Sequence, residues 1–353
     1  MLVVDDSSFM RRILIDIINK DDELEVVDFA RNGQEALEKV LELKPDVMTL
    51  DIEMPILDGL KTLEKVMKIN PMPVIMLSSL TQSGTLATIR ALEKGAVDFI
   101  AKPNIMFGNN KLFDIDKISN EIINKIKNSA KISRGKIFQK QIIMKKNNEY
   151  DEQQYMYKKF ECCNWPIVAI GTSTGGPKAL HTVMSNLTEK SNTSILIVQH
   201  MPPGFTNSLA KRLNDVSNYV VKEAENGEEI KRNCAYVAPG DYHMEVSFKN
   251  NKLCIVLNKN PHVNGHRPSV DVMFNSVAKI DCPKIGVIMT GMGSDGAKGM
   301  LQLKKNGSIN FGENEESCVV YGMPKVAYML GAVDYEVPLC EIANCITRAI
   351  KKC

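Results

Sequence analysis

Ser173 stands in Gly171-Thr172-Ser173-Thr174-Gly175-Gly176, directly after the apolar run Ile167–Ile170. G-x-S-x-G is the spacing that exposes a nucleophilic serine on a sharp strand-to-helix turn. Pro177 follows where a first helical turn tolerates proline, because that N–H would lack a partner anyway. A strand, a glycine turn and a helix would present one hydroxyl at a sheet's carboxyl edge, beside backbone N–H groups and the positive helix end. Serine is a poor nucleophile at neutral pH, so a neutral imidazole must take its proton. A buried carboxylate then holds the tautomer and stabilises the imidazolium. N–H groups of glycine-rich loops can bind a developing oxyanion, at ~3–4 kcal/mol per donor.

Of the five histidines, His200 caps an apolar strand, Ser194–Val198. His181 lies one turn inside the helix after Ser173, and His262 is a plain loop residue. His243 and His266 follow turns (APGDYH, NGHRPS) and could line a pocket. Among the acids, Asp295 has the strongest setting, the loop Gly291-Met292-Gly293-Ser294-Asp295-Gly296 after the strand Ile285–Thr290. Asp215, Asp281 and Asp334 sit in surface-like stretches. Asp271, in RPSVD, is the runner-up, read as a structural acid paired with Arg267.

A second chemistry collects nearer the N-terminus. Asp5 and Asp6 follow one apolar run, Asp51 ends another, Ser78 a third, and Lys102-Pro103 follows a fourth. Three carboxylates on one sheet edge repel unless a hard cation joins them, and oxygen ligands suit magnesium. A lysine and a hydroxyl beside them could hold phosphoryl oxygens.

The elements that must carry these groups alternate strand and helix, so the fold class is α/β with parallel sheets. Residues 1–128 read as five strands (Met1–Val4, Glu25–Ala30, Asp46–Asp51, Pro73–Ser78, Asp98–Ala101) with helices that include Ser8–Lys20, Gly33–Leu43 and Ile115–Ile126. Residues 129–163 break the alternation; eight Lys/Arg against four Asp/Glu between 130 and 161 describe a flexible linker. Residues 164–353 resume it as a doubly wound sheet, with further strands at Ala235–Ala238 and Leu253–Leu257. In such sheets the strands' carboxyl ends form one crevice.

At 353 residues two domains are the natural expectation. A net charge of +2 predicts no strong pull toward nucleic acid or anionic membrane. No apolar run approaches the ~18 residues of a membrane span, and no signal-peptide layout is present, so a cytoplasmic protein is expected. All nine cysteines lie from Cys162 onward without a C-x-x-C, which argues for reduced thiols and against zinc.

LVVDDS, DIEMPILDGL, PVIMLSS and GAVDFIAKP resemble a response-regulator receiver domain, in (βα)5 form. The resemblance implies that Asp51 is the phospho-acceptor. Asp5, Asp6, Asp51 and the Glu53 backbone carbonyl would bind Mg²⁺, with Ser78 as switch hydroxyl, Lys102 as phosphate partner and Phe99 as switch aromatic. The lead-in before the first strand is short, which removes no site residue.

The remaining motifs run Ser, His, Asp along the chain, whereas α/β-hydrolases run Ser, Asp/Glu, His. AIGTSTGGP, VQHMPPGF, APG-Y-H, RPSVD and MTGMGSDGA resemble the catalytic domain of the chemotaxis protein-glutamate methylesterases. That resemblance implies a Ser173, His200, Asp295 triad with the Met292 N–H as oxyanion donor, and no metal at the esterase site. It implies hydrolysis of glutamyl γ-methyl esters on methyl-accepting chemotaxis receptors, with receptor glutamine deamidation by the same chemistry. The histidine kinase CheA is the implied phosphodonor. A phosphorylation site joined to a hydrolase site leads to the expectation that the unphosphorylated receiver obstructs the crevice, and that phosphate on Asp51 relieves this through Ser78 and Phe99.

Two other readings compete. A dinucleotide loop would need glycine where Ser173 stands, and no ribose-binding acid follows about 20 residues on. A non-enzymatic docking protein would leave the Ser/His/Asp set without purpose.

Overall fold

The computed structural model describes residues 1–102, 115–132, 163, 165–187 and 192–352. They fall into two compact units, Met1–Gln139 and Lys140–Cys353. The linker expected at 129–163 lies almost wholly outside the described residues.

The first unit alternates β1 (Leu2–Val4), α1 (Ser8–Ile18), β2 (Asp28–Ala30), α2 (Gly33–Leu43), β3 (Met48–Asp51), α3 (Gly59–Ile69), β4 (Val74–Ser78), α4 (Gln82–Glu93), β5 (Asp98–Ala101) and α5 (Ile115–Ala130). The strands are parallel in the order β2-β1-β3-β4-β5. Helices on both faces bury both sides of each inner strand, which explains the unbroken apolar runs. Leu14, Ile17 and Ile18 of α1 meet Ile122 and Ile126 of α5 over Val3, Ile75 and Leu77. Short caps set the helix starts: the Ser7 hydroxyl accepts from Met10 N–H, and the Thr81 hydroxyl from Gly84 N–H.

The second unit contains β6 (Ile167–Thr172), α6 (Gly176–Asn186), β7 (Ser194–Gln199), α7 (Phe205–Val216), β8 (Val220–Glu223), β9 (Cys234–Val237), β10 (His243–Lys249) and β11 (Lys252–Asn258). It continues through α8 (Val270–Ala278), β12 (Lys284–Ile288), α9 (Ala297–Lys305), β13 (Ile309–Glu313), α10 (Met323–Met329), β14 (Tyr335–Val337) and α11 (Leu339–Lys352). Seven strands form a parallel sheet in the order β14-β13-β12-β6-β7-β9-β8. β10 and β11 stand apart as an antiparallel hairpin, so the strand expected at Leu253–Leu257 belongs to that hairpin and not to the sheet.

Alternate residues of the central strands, Ile167, Ala169, Leu196 and Val198, share one core with Phe274 and Val277 of α8. The chain winds outward from β6 in both directions. The strand order therefore reverses at β6, between β7 and β12, and that is where ligands bind in open α/β sheets.

Candidate active site

In the second unit the three chemically suited residues follow three adjacent strands. β6 and β7 are in register to Thr172–Gln199, and Ser173 and His200 are the next residue on each. His200 N–H donates to Thr172 O at 3.2 Å, and Ser173 N–H to Thr290 O at 3.0 Å. The serine turn is thus tied to both neighbouring strand ends. Gln199 Nε2 donates to Ser173 O at 3.0 Å, and Gly176 N–H reaches the same carbonyl at 2.8 Å, closing the turn into α6. Close approach explains Gly291: a Cβ there would lie 2.8 Å from the Ser173 Cβ.

His200 and Asp295 form a buried pair, Nε2 to Oδ2 at 2.8 Å. A carboxylate only accepts, so Nε2 carries the proton and Nδ1 keeps its lone pair. His200 Nδ1 is buried and has no hydrogen-bond partner among the described residues. The assignment of the two nitrogens is opposite to that of chymotrypsin-like proteases.

Asp295 lies against the N-terminus of α8. Val270 N–H donates to Oδ2 at 2.7 Å, while the Ser269 hydroxyl and Asn264 Nδ2 each donate to Oδ1 at 2.8 Å. Burial alone would raise this carboxyl, but the hydrogen bonds from His200, Asn264 and the Val270 N–H hold it well below the usual carboxylate range. His200 is therefore oriented by an acid that stays ionised.

The Asp271–Arg267 pair expected from sequence does not form. Asp271 points inward from the first turn of α8, accepting from Gly299 N–H at 2.6 Å and from Asn264 Nδ2 at 2.9 Å. Burial, with the Asp295 charge nearby, pushes its carboxyl up. Arg267 precedes the helix cap Ser269 and turns instead to Asp241. His243 does not sit among the strand-end groups: it is buried behind Ser269, accepting Ser269 N–H at Nδ1 (3.2 Å) and bonded through Nε2 to Pro261 O (3.0 Å). His266 stacks on the His200 ring. Met292, half-exposed, follows Gly291 in the loop after β12.

Thr290, Glu313, Asn264 and Ser269 escaped sequence reasoning. Fully buried Glu313 accepts Thr290 N–H at 2.8 Å, and the Thr290 hydroxyl donates to Thr174 O at 2.9 Å. Thr290 thus fastens the serine turn to the glycine loop. Burial pushes the Glu313 carboxyl up to about 7. The dipeptide Asn264-Gly265 was the one available signal, since it is a turn former.

In the first unit Asp5, Asp6 and Asp51 place carboxylate oxygens within 4.8 Å of one another. This all-oxygen set fits a hard divalent cation. Lys102 Nζ bridges Asp51 Oδ2 at 2.7 Å and Asp5 Oδ2 at 2.9 Å. Burial, with the Asp5 charge, pushes Asp51 up to about 6 against the pull of Lys102. Glu53 meets Asp51 through its backbone N–H. The Ser78 hydroxyl faces α4, accepting from Thr88 Oγ1 at 2.5 Å and donating to Gly84 O at 3.3 Å. Phe99 is buried, with Lys125 Nζ 5.0 Å from its ring centroid.

Comparison with known proteins matches residues 168–346 to the family described as CheB methylesterase and residues 1–113 to the response regulator receiver domain. A protein-glutamate methylesterase/protein-glutamine glutaminase of Pyrococcus abyssi is 47% identical over 352 residues, covering 99% of this chain and 93% of its own. One of Thermotoga maritima is 44% identical over 344 residues, 97% of this chain and 96% of its own. The crystal structure of the Thermotoga maritima CheB methylesterase catalytic domain covers 54% of this chain and 99% of its own, at 43% identity and a TM-score of 0.51. No helix among the described residues is long and apolar enough to cross a membrane.

Proposed function

Because the chain belongs to the CheB methylesterase family and begins with a receiver domain, we propose that it hydrolyses glutamyl γ-methyl esters of chemoreceptors under the control of phosphorylation at Asp51. One observation carries the catalytic reading. His200 is bonded to Asp295 through Nε2, and its second nitrogen lies buried, without a hydrogen-bond partner among the described residues, at the strand end next to Ser173.

In this mechanism the Ser173 oxygen attacks the γ-carbonyl carbon as its proton passes to His200 Nδ1. The tetrahedral oxyanion is met by the Met292 N–H. The C–O bond to the methoxy group then breaks, and His200 returns the proton to release methanol. Water attacks the acyl-serine by the same proton route, giving free glutamate and Ser173. Asp295 balances the imidazolium throughout. With a glutamine side chain the leaving group is ammonia, which is the deamidation named in the relatives.

In the receiver, Asp5, Asp6, Asp51 and the Glu53 carbonyl would hold Mg²⁺, which offsets phosphoryl charge when bound. Asp51 takes the phosphoryl group from a histidine kinase of the CheA type, Lys102 pairs with its oxygens, and Ser78 and Phe99 relay the change. The work is cytoplasmic, on the receptors' helical signalling region.

The test is methanol release from methylated receptor membranes, with and without a small phosphodonor and Mg²⁺. Ser173→Ala is expected to abolish release, and Asp51→Asn to remove only its stimulation. Release by Ser173→Ala would sink the esterase mechanism, and equal stimulation in Asp51→Asn would sink the control.

A further inference from the structure

We propose that His266 is a positioning residue of this esterase, its imidazole fixing the plane in which His200 presents Nδ1; the inference rests on the Ser173–His200–Asp295 reading. An imidazole held at one nitrogen can still swing about that hydrogen bond. A second hydrogen bond would stop the swing, but Nδ1 has to stay open for the serine proton. The restraint must come from the ring face. There the His266 ring lies parallel to His200, with centroids 3.7 Å apart and planes 9° from parallel.

The stack is built into a tight turn. Val263 and His266 exchange both backbone hydrogen bonds, at 3.1 and 2.9 Å. Asn264 and Gly265 between them take φ of 52° and 82°, the paired left-handed backbone of a two-residue hairpin turn. The same turn directs Asn264 Nδ2 to Oδ1 of Asp295 and Oδ2 of Asp271. Its next residue, Arg267, is pinned by Asp241 and by the carbonyls of Lys259 and Asn260 at 3.0 Å. One hairpin thus grips both members of the pair, the acid through Asn264 and the base through His266. The second grip acts through the ring face, so a flat ring at position 266 is expected to preserve it.

The experiment measures kcat and KM for methanol release by the full chain with phosphodonor and Mg²⁺. His266→Ala is expected to lower kcat roughly tenfold or more with KM within about twofold, as a small misplacement of a catalytic group does. His266→Phe, which keeps a flat ring, is expected to stay within about threefold of wild type. His266→Leu keeps volume without a plane; it should follow His266→Ala, and replaces it if the alanine variant does not fold. Three results would overturn the proposal: wild-type kcat in the Ala and Leu variants, a Phe variant as slow as they are, or an effect confined to KM. Ser173→Ala is measured alongside. Activity there sinks the serine reading and this inference together, whereas loss there with a wild-type His266→Ala sinks this inference alone.

Discussion

Two buried carboxyls show how local donors decide charge. Asp295 is 1% exposed and surrounded by five donors, including the imidazole, so it stays ionised. Glu313 is equally buried but has the Thr290 N–H, the Ser317 hydroxyl and the weak Cys318 thiol donor, so burial prevails and its carboxyl is pushed up to about 7. Asp295→Asn leaves the packing intact but no longer fixes the His200 tautomer, and is expected to cost kcat about 10³–10⁴-fold in methanol release. For Glu313 the folded protein holds a proton that the unfolded chain releases near pH 4.5. Its contribution to stability is therefore complete below pH 4.5 and lost as pH rises to about 7. Urea unfolding across that window should show a fall on the order of 3 kcal/mol. Glu313→Gln should flatten it, and an unchanged slope would show that Glu313 is ionised in the fold. Asp295 stood out in sequence by its glycine loop, but the donors that set the charge of Asp295 and Glu313 were not legible, because most of them come from other strands and turns. The Asp271–Arg267 expectation failed for a local reason: Arg267 lies before the helix cap, so the four-residue spacing places the two on no common helical face.

At the level of elements, the strands were the legible part. Buried parallel strands announce themselves as apolar runs, and Ser173, His200, Asp51 and Ser78 were placed at strand ends by that signal alone. Strand ends that fray into loops were less clear: the run read as Glu25–Ala30 pairs only over Asp28–Ala30. The hairpin β10–β11 could not be told from a sheet strand, since an alternating apolar run is the same in both settings. Packing between turns was invisible in sequence, and Gly291 is the example. Its missing side chain makes room for Ser173, and Met323 Sδ would lie 2.4 Å from an added Cβ. The thioether can swing away but the serine backbone, tied to Thr290, cannot. Gly291→Ala should therefore lower kcat about 10²-fold by displacing Ser173. A thermal melt near that of wild type would locate the damage in the turn, whereas wild-type turnover would show that the turn yields.

For the whole chain, two parallel sheets carry two chemistries that ask for different conditions. The oxygen cluster of Asp5, Asp6 and Asp51 fits a divalent cation, whereas the serine site is built from an imidazole and one ionised acid. Chelation by EDTA is therefore expected to remove the phosphodonor-dependent part of methanol release and to leave the basal rate. Loss of the basal rate as well would mean that the esterase chemistry needs metal. The sheet order has a further consequence for biogenesis. β6 is completed on one side by β7, which follows it closely, and on the other by β12, which emerges from the ribosome only after α7, the β10–β11 hairpin and α8. Pairing across so long a loop is slow. A nascent chain thus holds Ser173 and His200 for several seconds at ordinary elongation rates before the Asp295 loop exists. On the proposed Ser173–His200–Asp295 reading, hydrolytic competence comes late in synthesis, and chains terminated before Asp295 lack the carboxylate it needs.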